Sequence, residues 1–165
     1  MNEQLDNLIE ALREELKQYG EMLALLDQEQ ELVMQRQASG IPSCATAIYA
    51  QAETLNAVRQ EREQRRRQLA RTLQLKEETC FNELTPLLPT HYQPLLQALV
   101  QENKELLVRV QQRARQNHLL LSRMVELMQK LISSVVPGAG PSTYTEGGLV
   151  VASAAAPLPI YDAIG

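Results

Sequence analysis

The chain has 165 residues and a formal net charge of −4, it contains no tryptophan, and Leu, Gln, Glu, Arg and Ala dominate it. This length fits one domain, or one domain with a tail, and the composition favours helices packed through aliphatic side chains over strands. The acidic balance gives no electrostatic reason to expect nucleic acid or an anionic membrane as a partner. Cys44 and Cys80 lie far apart without neighbouring ligands, as is typical of reduced thiols in a cytosolic protein.

The first predicted helix covers about residues 2–38. Its apolar residues recur in alternating steps of four and three, which is the pattern of a coiled-coil seam. Leu8, Met22 and Leu32 widen this seam. The predicted seam consists of Leu5, Ile9, Leu12, Leu16, Tyr19, Leu23, Leu26, Gln30 and Val33.

The segment "ASGIPSC" interrupts the pattern, and we expect Gly40 to end the first helix and Pro42 to lie at the start of the next. The second helix is predicted over about residues 43–76. An antiparallel hairpin about this break pairs residues whose numbers sum to about 81, such as Leu26 with Leu55. The predicted seam of the second helix is Ile48, Ala52, Leu55, Val58, Leu69 and Leu73.

The two predicted arms differ in charge. Residues 1–40 carry 3 basic and 9 acidic side chains, whereas residues 41–76 carry 7 basic and 3 acidic ones. The arginine cluster "EREQRRRQLAR" should therefore lie opposite acidic side chains of the first helix, as a solvated ion-pair face rather than a nucleic-acid stripe. The expected acidic partners are Glu10, Glu14, Glu15 and Glu21.

Residues 77–90 contain prolines and indicate a connection with a short helical turn. A third helix follows over about residues 92–136, some 65 Å long at roughly 1.5 Å per residue. Because the hairpin arms are shorter, its C-terminal end should extend beyond the hairpin turn, where its apolar arc also doubles in width. Its narrow stripe is Leu96, Leu99, Leu106, Val110 and Ala114, which Asn103 and Asn117 interrupt.

Three occupants fit the wide apolar arc at residues 119–136: a partner helix, a second copy of the chain, or the 77–90 segment folded over it. The fold class predicted from these elements is all-α, an elongated antiparallel three-helix bundle or coiled-coil hairpin with a long third helix. Residues 1–136 form the helical domain. Residues 137–165 lack periodicity and carry two charges, which predicts a disordered, flexible tail.

No residue set in the sequence resembles catalytic machinery. The two histidines, His91 and His118, lie on different predicted elements and neither has Cys, Asp or Glu at ligand spacing. No Gly-rich loop follows a strand. We therefore predict that the chain is not an enzyme, binds no cofactor or metal, and does not insert into a membrane.

The long first helix, "EREQRRRQLARTL" in the second, "QNHLLLSRM" in the third and "STYTEGG" after it resemble the FlgN family. These proteins are cytoplasmic export chaperones of the bacterial flagellar type III system. The resemblance covers residues 3–148, and its most specific parts are Asn117 with the leucines that follow and the Thr143–Gly147 motif. The chain departs from the family pattern beyond Gly148, and in lacking a glycine in "LQLKEE".

The resemblance implies a cytoplasmic chaperone that binds the C-terminal amphipathic helices of hook–filament junction proteins and prevents their premature assembly. It also implies docking on the cytoplasmic domain of the export gate through a tyrosine, for which Tyr144 is the matching residue. A monomer or weak homodimer is expected. The alternatives are a structural coiled-coil protein that self-associates through residues 119–136, and a chaperone for another secreted substrate. The residues assigned to client contact are Leu120, Met124, Leu127, Met128, Leu131 and Val135.

Overall fold

The structure is a computed structural model and describes residues 2–135. These residues form four α-helices and no strand: α1 (Asn2–Met34), α2 (Ile41–Thr72), the short α3 (Phe81–Leu84) and α4 (Gln93–Val135). Single 3-10 turns precede α2 and follow α3. The all-α prediction is confirmed. The predicted tail, residues 137–165, lies outside the described residues.

Helices α1 and α2 end earlier than predicted, at Met34 and Thr72 rather than near residues 38 and 76. In each case the residue two positions later adopts a left-handed conformation, with φ of 56° at Arg36 and 57° at Gln74. The amide of Gln37 then donates to Leu32 O, and that of Arg36 to Val33 O, as in a Schellman motif. The expectation that Gly40 ends the first helix is therefore wrong.

Helices α1 and α2 form an antiparallel hairpin, but its register differs from the prediction. Cys44 Sγ lies 3.5 Å from Leu25 O, and Gln51 Nε2 donates to Gln18 O over 3.0 Å. These residue numbers sum to 69, and those of the Arg62–Glu15 pair sum to 77, so both sums are below the predicted 81. The cause is the early end of α1, which moves the reversal of the chain from residue 40 to the vicinity of Arg36. Pro42 lies in the first turn of α2, as predicted.

Helix α4 runs parallel to α1, and two buried asparagines fix its register. Asn103 Nδ2 donates to Leu12 O over 3.0 Å, and Asn117 Nδ2 donates to Leu26 O over 2.7 Å. Both pairs are separated by 91 positions in the sequence. Asn103 and Asn117 therefore do more than interrupt the apolar stripe. Because each amide can be satisfied at one register only, they hold α4 in place along α1.

Helix α1 is the central element, since α2 and α4 both pack along it and are joined mainly through it. The predicted seam is confirmed at five positions, which are buried: Leu5, Ile9, Leu12, Tyr19 and Leu26. At three other positions the buried residue lies one place earlier, so that Glu15, Met22 and Glu29 are buried where Leu16, Leu23 and Gln30 were expected. The two glutamates tolerate burial because Arg62 donates to Glu15 and Asn117 donates to Glu29.

The hydrophobic core consists of two clusters. The first surrounds Tyr19, Met22 and Leu26 of α1, near the hairpin turn, and includes Val110 and Ala114 of α4. The second lies at the other end. It contains Leu5, Leu8, Ile9, Leu12, Leu69, Ala70, Leu84, Leu88, Leu96 and Leu99.

The segment that connects α2 to α4 packs against the second cluster. Leu84 of α3 and Leu88 are buried there against the first turns of α1 and the start of α4. The 77–90 segment therefore does not cover residues 119–135, the described part of the wide apolar arc. That alternative for the wide apolar arc is wrong, because the apolar side chains of the connection close the opposite end of the bundle.

Candidate functional site

Helix α4 continues past the point where α1 ends. With a constant offset of 91 between the two helices, Met34 at the end of α1 lies level with Val125. About ten further residues of α4, or roughly 15 Å, then project beyond α1. We call residues 119–135 the α4 extension. The structure thus shows the projecting end that the sequence predicted.

Apolar side chains of the α4 extension are exposed. Leu127 is 61% exposed, Leu131 64% and Val135 77%, while Met128 is 46% exposed. Leu120 and Met124, nearer to the end of α1, are half-buried. The six residues predicted to contact a client therefore lie together on this extension, and four of them are accessible along its length.

The exposed apolar face continues the face of α4 that packs on α1. At 100° per residue, the buried positions of α4 and the apolar positions of the extension fall on the same side of the helix. The extension is polar on its opposite side, with Arg123, Glu126 and Lys130. Successive positions of the continuing seam are Ala114, Asn117, Leu121, Met124, Met128, Leu131 and Val135. The α4 extension therefore presents a seam suited to helix packing, and beyond Val125 no other described element covers it.

Val125 and Ile132 lie in the predicted apolar arc of residues 119–136 but are not among the six predicted client contacts. The structure exposes them by 52% and 57%, alongside the predicted residues. It also exposes Met34 by 72% at the level of Val125. The helical spacing of apolar residues in the sequence already indicates Val125 and Ile132. Met34 could be found only once the end of α1 was known.

Polar contacts join the base of the α4 extension to α1. Asn117 is 1% exposed, and its Nδ2 donates to Glu29 Oε2 over 2.9 Å as well as to Leu26 O. Arg113 Nε lies 2.8 Å from Asp27 Oδ1. Burial raises the pKa of the nearby Cys44 thiol above its usual range, and the negative charge of Glu29 adds to this effect. Hydrogen bonds and an ion pair to α1 therefore anchor the base of the α4 extension.

A second polar region, the polar layer, lies between the two apolar clusters and comprises Glu15, Tyr19, Arg62, Arg66 and Asn103. Arg62 Nε donates to Glu15 Oε2 over 3.0 Å, and the Tyr19 hydroxyl donates to Glu15 Oε1 over 3.1 Å. Burial raises the pKa of Tyr19 above its usual range, and the charge of Glu15 raises it further. Positions that are apolar elsewhere in the bundle are therefore polar or charged in this layer.

The arginine cluster of α2 is only partly the solvated face that the sequence predicted. Arg66 is 7% exposed and donates to Thr79 O and to Glu63, and this hydrogen bond lowers the pKa of the Glu63 carboxyl. Arg65 and Arg67 pair with Glu61 and Glu63 of their own helix.

Of the four expected acidic partners, Glu15 is confirmed through its ion pair with Arg62. Glu10 and Glu14 pair within α1 with Arg13 and Lys17. Short i,i+3 and i,i+4 distances favour pairing within a helix over pairing across the hairpin.

Within residues 2–135, no cluster of three His, Cys, Asp or Glu side chains could hold a metal ion. None of the helices in this range combines the length and the apolar character that a membrane span needs. Tyr144, the predicted docking residue for the export gate, lies outside the described part of the chain. The α4 extension is therefore the best-defined candidate site, and its chemistry is that of a surface for binding a helix.

A family model described as FlgN protein matches residues 1–151, which is most of the chain. No curated protein and no solved structure matches the chain significantly.

Proposed function

The chain belongs to the FlgN family of flagellar export chaperones, and on that premise we propose that its clients are hook–filament junction proteins. In this proposal the chain binds their C-terminal amphipathic helices in the cytoplasm, prevents premature assembly and delivers them to the type III export gate. Chaperone families of this kind carry out no chemical reaction on their clients, so the proposed work is binding and release.

The observation that supports helix binding is the uncovered seam of the α4 extension. A contiguous apolar surface on a soluble helix marks an interaction site, and helix-in-groove recognition uses apolar anchors spaced by three and four residues. Leu120, Met124, Leu127, Leu131 and Val135 have this spacing. A client helix laid along the seam would replace α1 where α1 has ended.

The two methionines suit a surface that accepts more than one client. Met124 and Met128 lie along the middle of the extension, with Met128 46% exposed. Unbranched thioether side chains adapt their rotamers to different apolar partners. We therefore include Met128 among the central client contacts, together with Leu127 and Leu131.

Delivery to the export gate is assigned to Tyr144. Its ring would enter an apolar slot of the gate's cytoplasmic domain while its hydroxyl forms a hydrogen bond, which is a suitable anchor for a transient contact. The prediction is that Tyr144→Ala leaves client affinity unchanged and weakens binding of the loaded chaperone to the isolated gate domain.

The experiment that tests client binding is a calorimetric titration of the full chain with the C-terminal helix of a junction protein from the same organism. We expect saturable one-to-one binding with a negative change in heat capacity, because apolar surface is buried. Leu127→Asp should abolish this binding while circular dichroism shows unchanged helicity. Gln129→Asp is the matched control, because it introduces the same aspartate in the same helical turn but outside the seam. This variant should bind the client helix normally.

Self-association through the same seam is the competing explanation, and sedimentation distinguishes it. A monomer at all concentrations that binds the helix supports the chaperone proposal. A stable dimer that is lost in Leu127→Asp, and that does not bind the client helix, would instead assign the seam to a second copy of the chain. A folded monomer that does not bind the helix would exclude junction proteins as clients.

A further inference from the structure

The exposed end of α4 is short for a surface that binds a helix. About ten residues, or roughly 15 Å, project beyond Met34 at the end of α1. Specific interfaces between proteins bury about 1,200–2,000 Å² in total, and a helix that is stable in isolation has at least about 12–15 residues. A client helix therefore needs further contacts on the chain, beyond those that the projecting end provides.

The apolar surface of the α4 extension is wider on one side of its seam. At 100° per residue, Leu120 and Leu127 lie on the same side of α4 as Arg113, which forms an ion pair with α1. Val100 and Leu107 lie on the other side, where they line the cleft that α4 forms with α2. Leu120 and Leu127 therefore widen the apolar surface on the side that faces away from α2.

On this side, α1 and α4 form a groove that we call the outer groove, consisting of Leu16, Gly20 and Leu23 of α1 with Leu106 and Leu120 of α4. The four leucines are half-buried. Leu23 and Leu106 also pack against the first core cluster. Leu16 is not among the side chains of residues 2–135 that pack against either cluster. The outer groove therefore presents more apolar surface than the core uses.

The outer groove leads directly into the α4 extension. Leu16 and Leu23 precede Gln30 by two heptads and one heptad, and Gln30 accepts a hydrogen bond from Arg113 of α4. Beside Gln30 lies a cavity of about 350 Å³, lined by Gln30, Gln116, Leu119, Leu120 and Arg123. Met34 is 72% exposed on the same side of α1, three turns after Leu23. A largely apolar path therefore runs from Leu16 past Met34 to the α4 extension.

Gly20 is the feature of the outer groove that packing within the chain does not explain. It lies in the middle of α1, one turn from Leu16 and one from Leu23, and glycine is unfavourable inside a helix because it loses more chain entropy on folding than other residues. A Cβ at Gly20 would have no other side chain or helix within 4 Å in residues 2–135. A second helix packed there would benefit, because a position without a side chain lets two helix axes approach to about 8 Å.

Building on the proposed function, we propose that the client helix extends from the α4 extension into the outer groove and packs against Gly20. Its apolar face contacts the leucines of the groove, and its other end stays on the α4 extension. The ion pair between Arg113 and Asp27 crosses the groove, with side chains that are 34% and 52% exposed. The complementary client is therefore an amphipathic helix with a polar residue between two apolar stretches.

The test is a calorimetric titration of full-length variants with the C-terminal helix of a junction protein from the same organism. Gly20→Trp fills the outer groove and should weaken binding about tenfold or more. Ala50→Trp enlarges another small, exposed helical residue, but on α2 and outside the groove, so this matched control should bind like the wild type. Circular dichroism should show wild-type helicity and unfolding midpoints for both variants, because both positions are exposed.

NMR of leucine methyl groups locates the client helix on the wild-type chain, so the test does not depend on whether Gly20→Trp folds. Titration of the ¹³C-labelled full chain with the same helix should shift the methyl signals of Leu16, Leu106 and Leu127. The signals of Leu107, which lies on the side of α4 that faces α2, should stay unchanged.

Each contrary result has a distinct meaning. Wild-type affinity in Gly20→Trp, together with loss of binding in Leu127→Asp, would overturn the outer groove as a client site and leave the proposed function intact. Methyl shifts at Leu127 and Leu107 without a shift at Leu16 would do the same. A dimer of the free chain that Gly20→Trp dissociates would assign the groove to a second copy instead. If the wild-type chain does not bind the helix, the proposed function and the outer-groove proposal both fail.

Discussion

The two parts of α4 on either side of Asn117 continue one apolar seam, which is wider in the second part, but they differ in what covers them. Leu96 and Val110 of the first part are completely buried, whereas Leu127 and Leu131 of the second are 61% and 64% exposed. The periodicity of α4 alone does not explain this difference. It arises because α1 ends at Met34, level with the middle of the extension. The seam therefore packs on α1 along its first part, and its last part is accessible to a partner.

The largest expected effect separates these two parts directly. Leu96→Ala should lower the free energy of unfolding by about 2–5 kcal/mol, because it leaves a cavity in a packed core. Leu131→Ala removes the same number of atoms from the same helix. It should change the free energy of unfolding by no more than about 0.5 kcal/mol, because Leu131 is exposed. Denaturant unfolding followed by circular dichroism measures both. A loss above 2 kcal/mol for Leu131→Ala would show that the extension is covered in solution.

An intermediate effect is expected at the boundary between the two parts. Asn117→Ala removes the donor to Glu29, which is 7% exposed, and should lower the free energy of unfolding by about 1–3 kcal/mol. Gln116→Ala, at the exposed neighbouring position, is the control and should stay within about 0.5 kcal/mol. Similar unfolding midpoints for the two variants would mean that Glu29 finds another donor, and that Asn117 does not anchor the extension.

The smallest expected effect concerns the residue that sets the boundary. A left-handed conformation is unfavourable by about 1–2 kcal/mol for an L-residue, and glycine avoids this at the expense of about 0.5–1 kcal/mol of chain entropy. Arg36→Gly should therefore stabilise the protein by about 0.5–1 kcal/mol, and Gln74→Gly should act alike. Thermal unfolding tests this prediction. Destabilisation by Arg36→Gly would imply that the arginine side chain itself holds the turn.

Several features of the fold could be predicted from the sequence because they depend on local properties. Apolar periodicity identified the three long helices and the projecting end of the third, and Pro42 marked the start of α2. The ends of α1 and α2 were missed because Arg36 and Gln74 carry no signal for a left-handed conformation, which glycine would have provided. The predicted hairpin register was wrong for the same reason.

Two positions of the α1 seam were misplaced by one residue because hydrophobicity favours Leu16 and Gln30 over the neighbouring glutamates. Glu15 and Glu29 are buried because partners on other helices, Arg62 and Asn117, satisfy their carboxylates. Those partners are distant in the sequence. The burial of Arg66 was missed likewise, since a run of arginines normally indicates a solvated face.

The sequence by itself determined the helical class, the apolar arc near the end of the chain and the family to which the protein belongs. Each depends on residue types at fixed spacing along one helix or one short motif. Only the tertiary structure decided which part of that arc is exposed and which carboxylates are buried. Those properties depend on where one helix ends beside another, and a register between helices is fixed by contacts that no single helix contains.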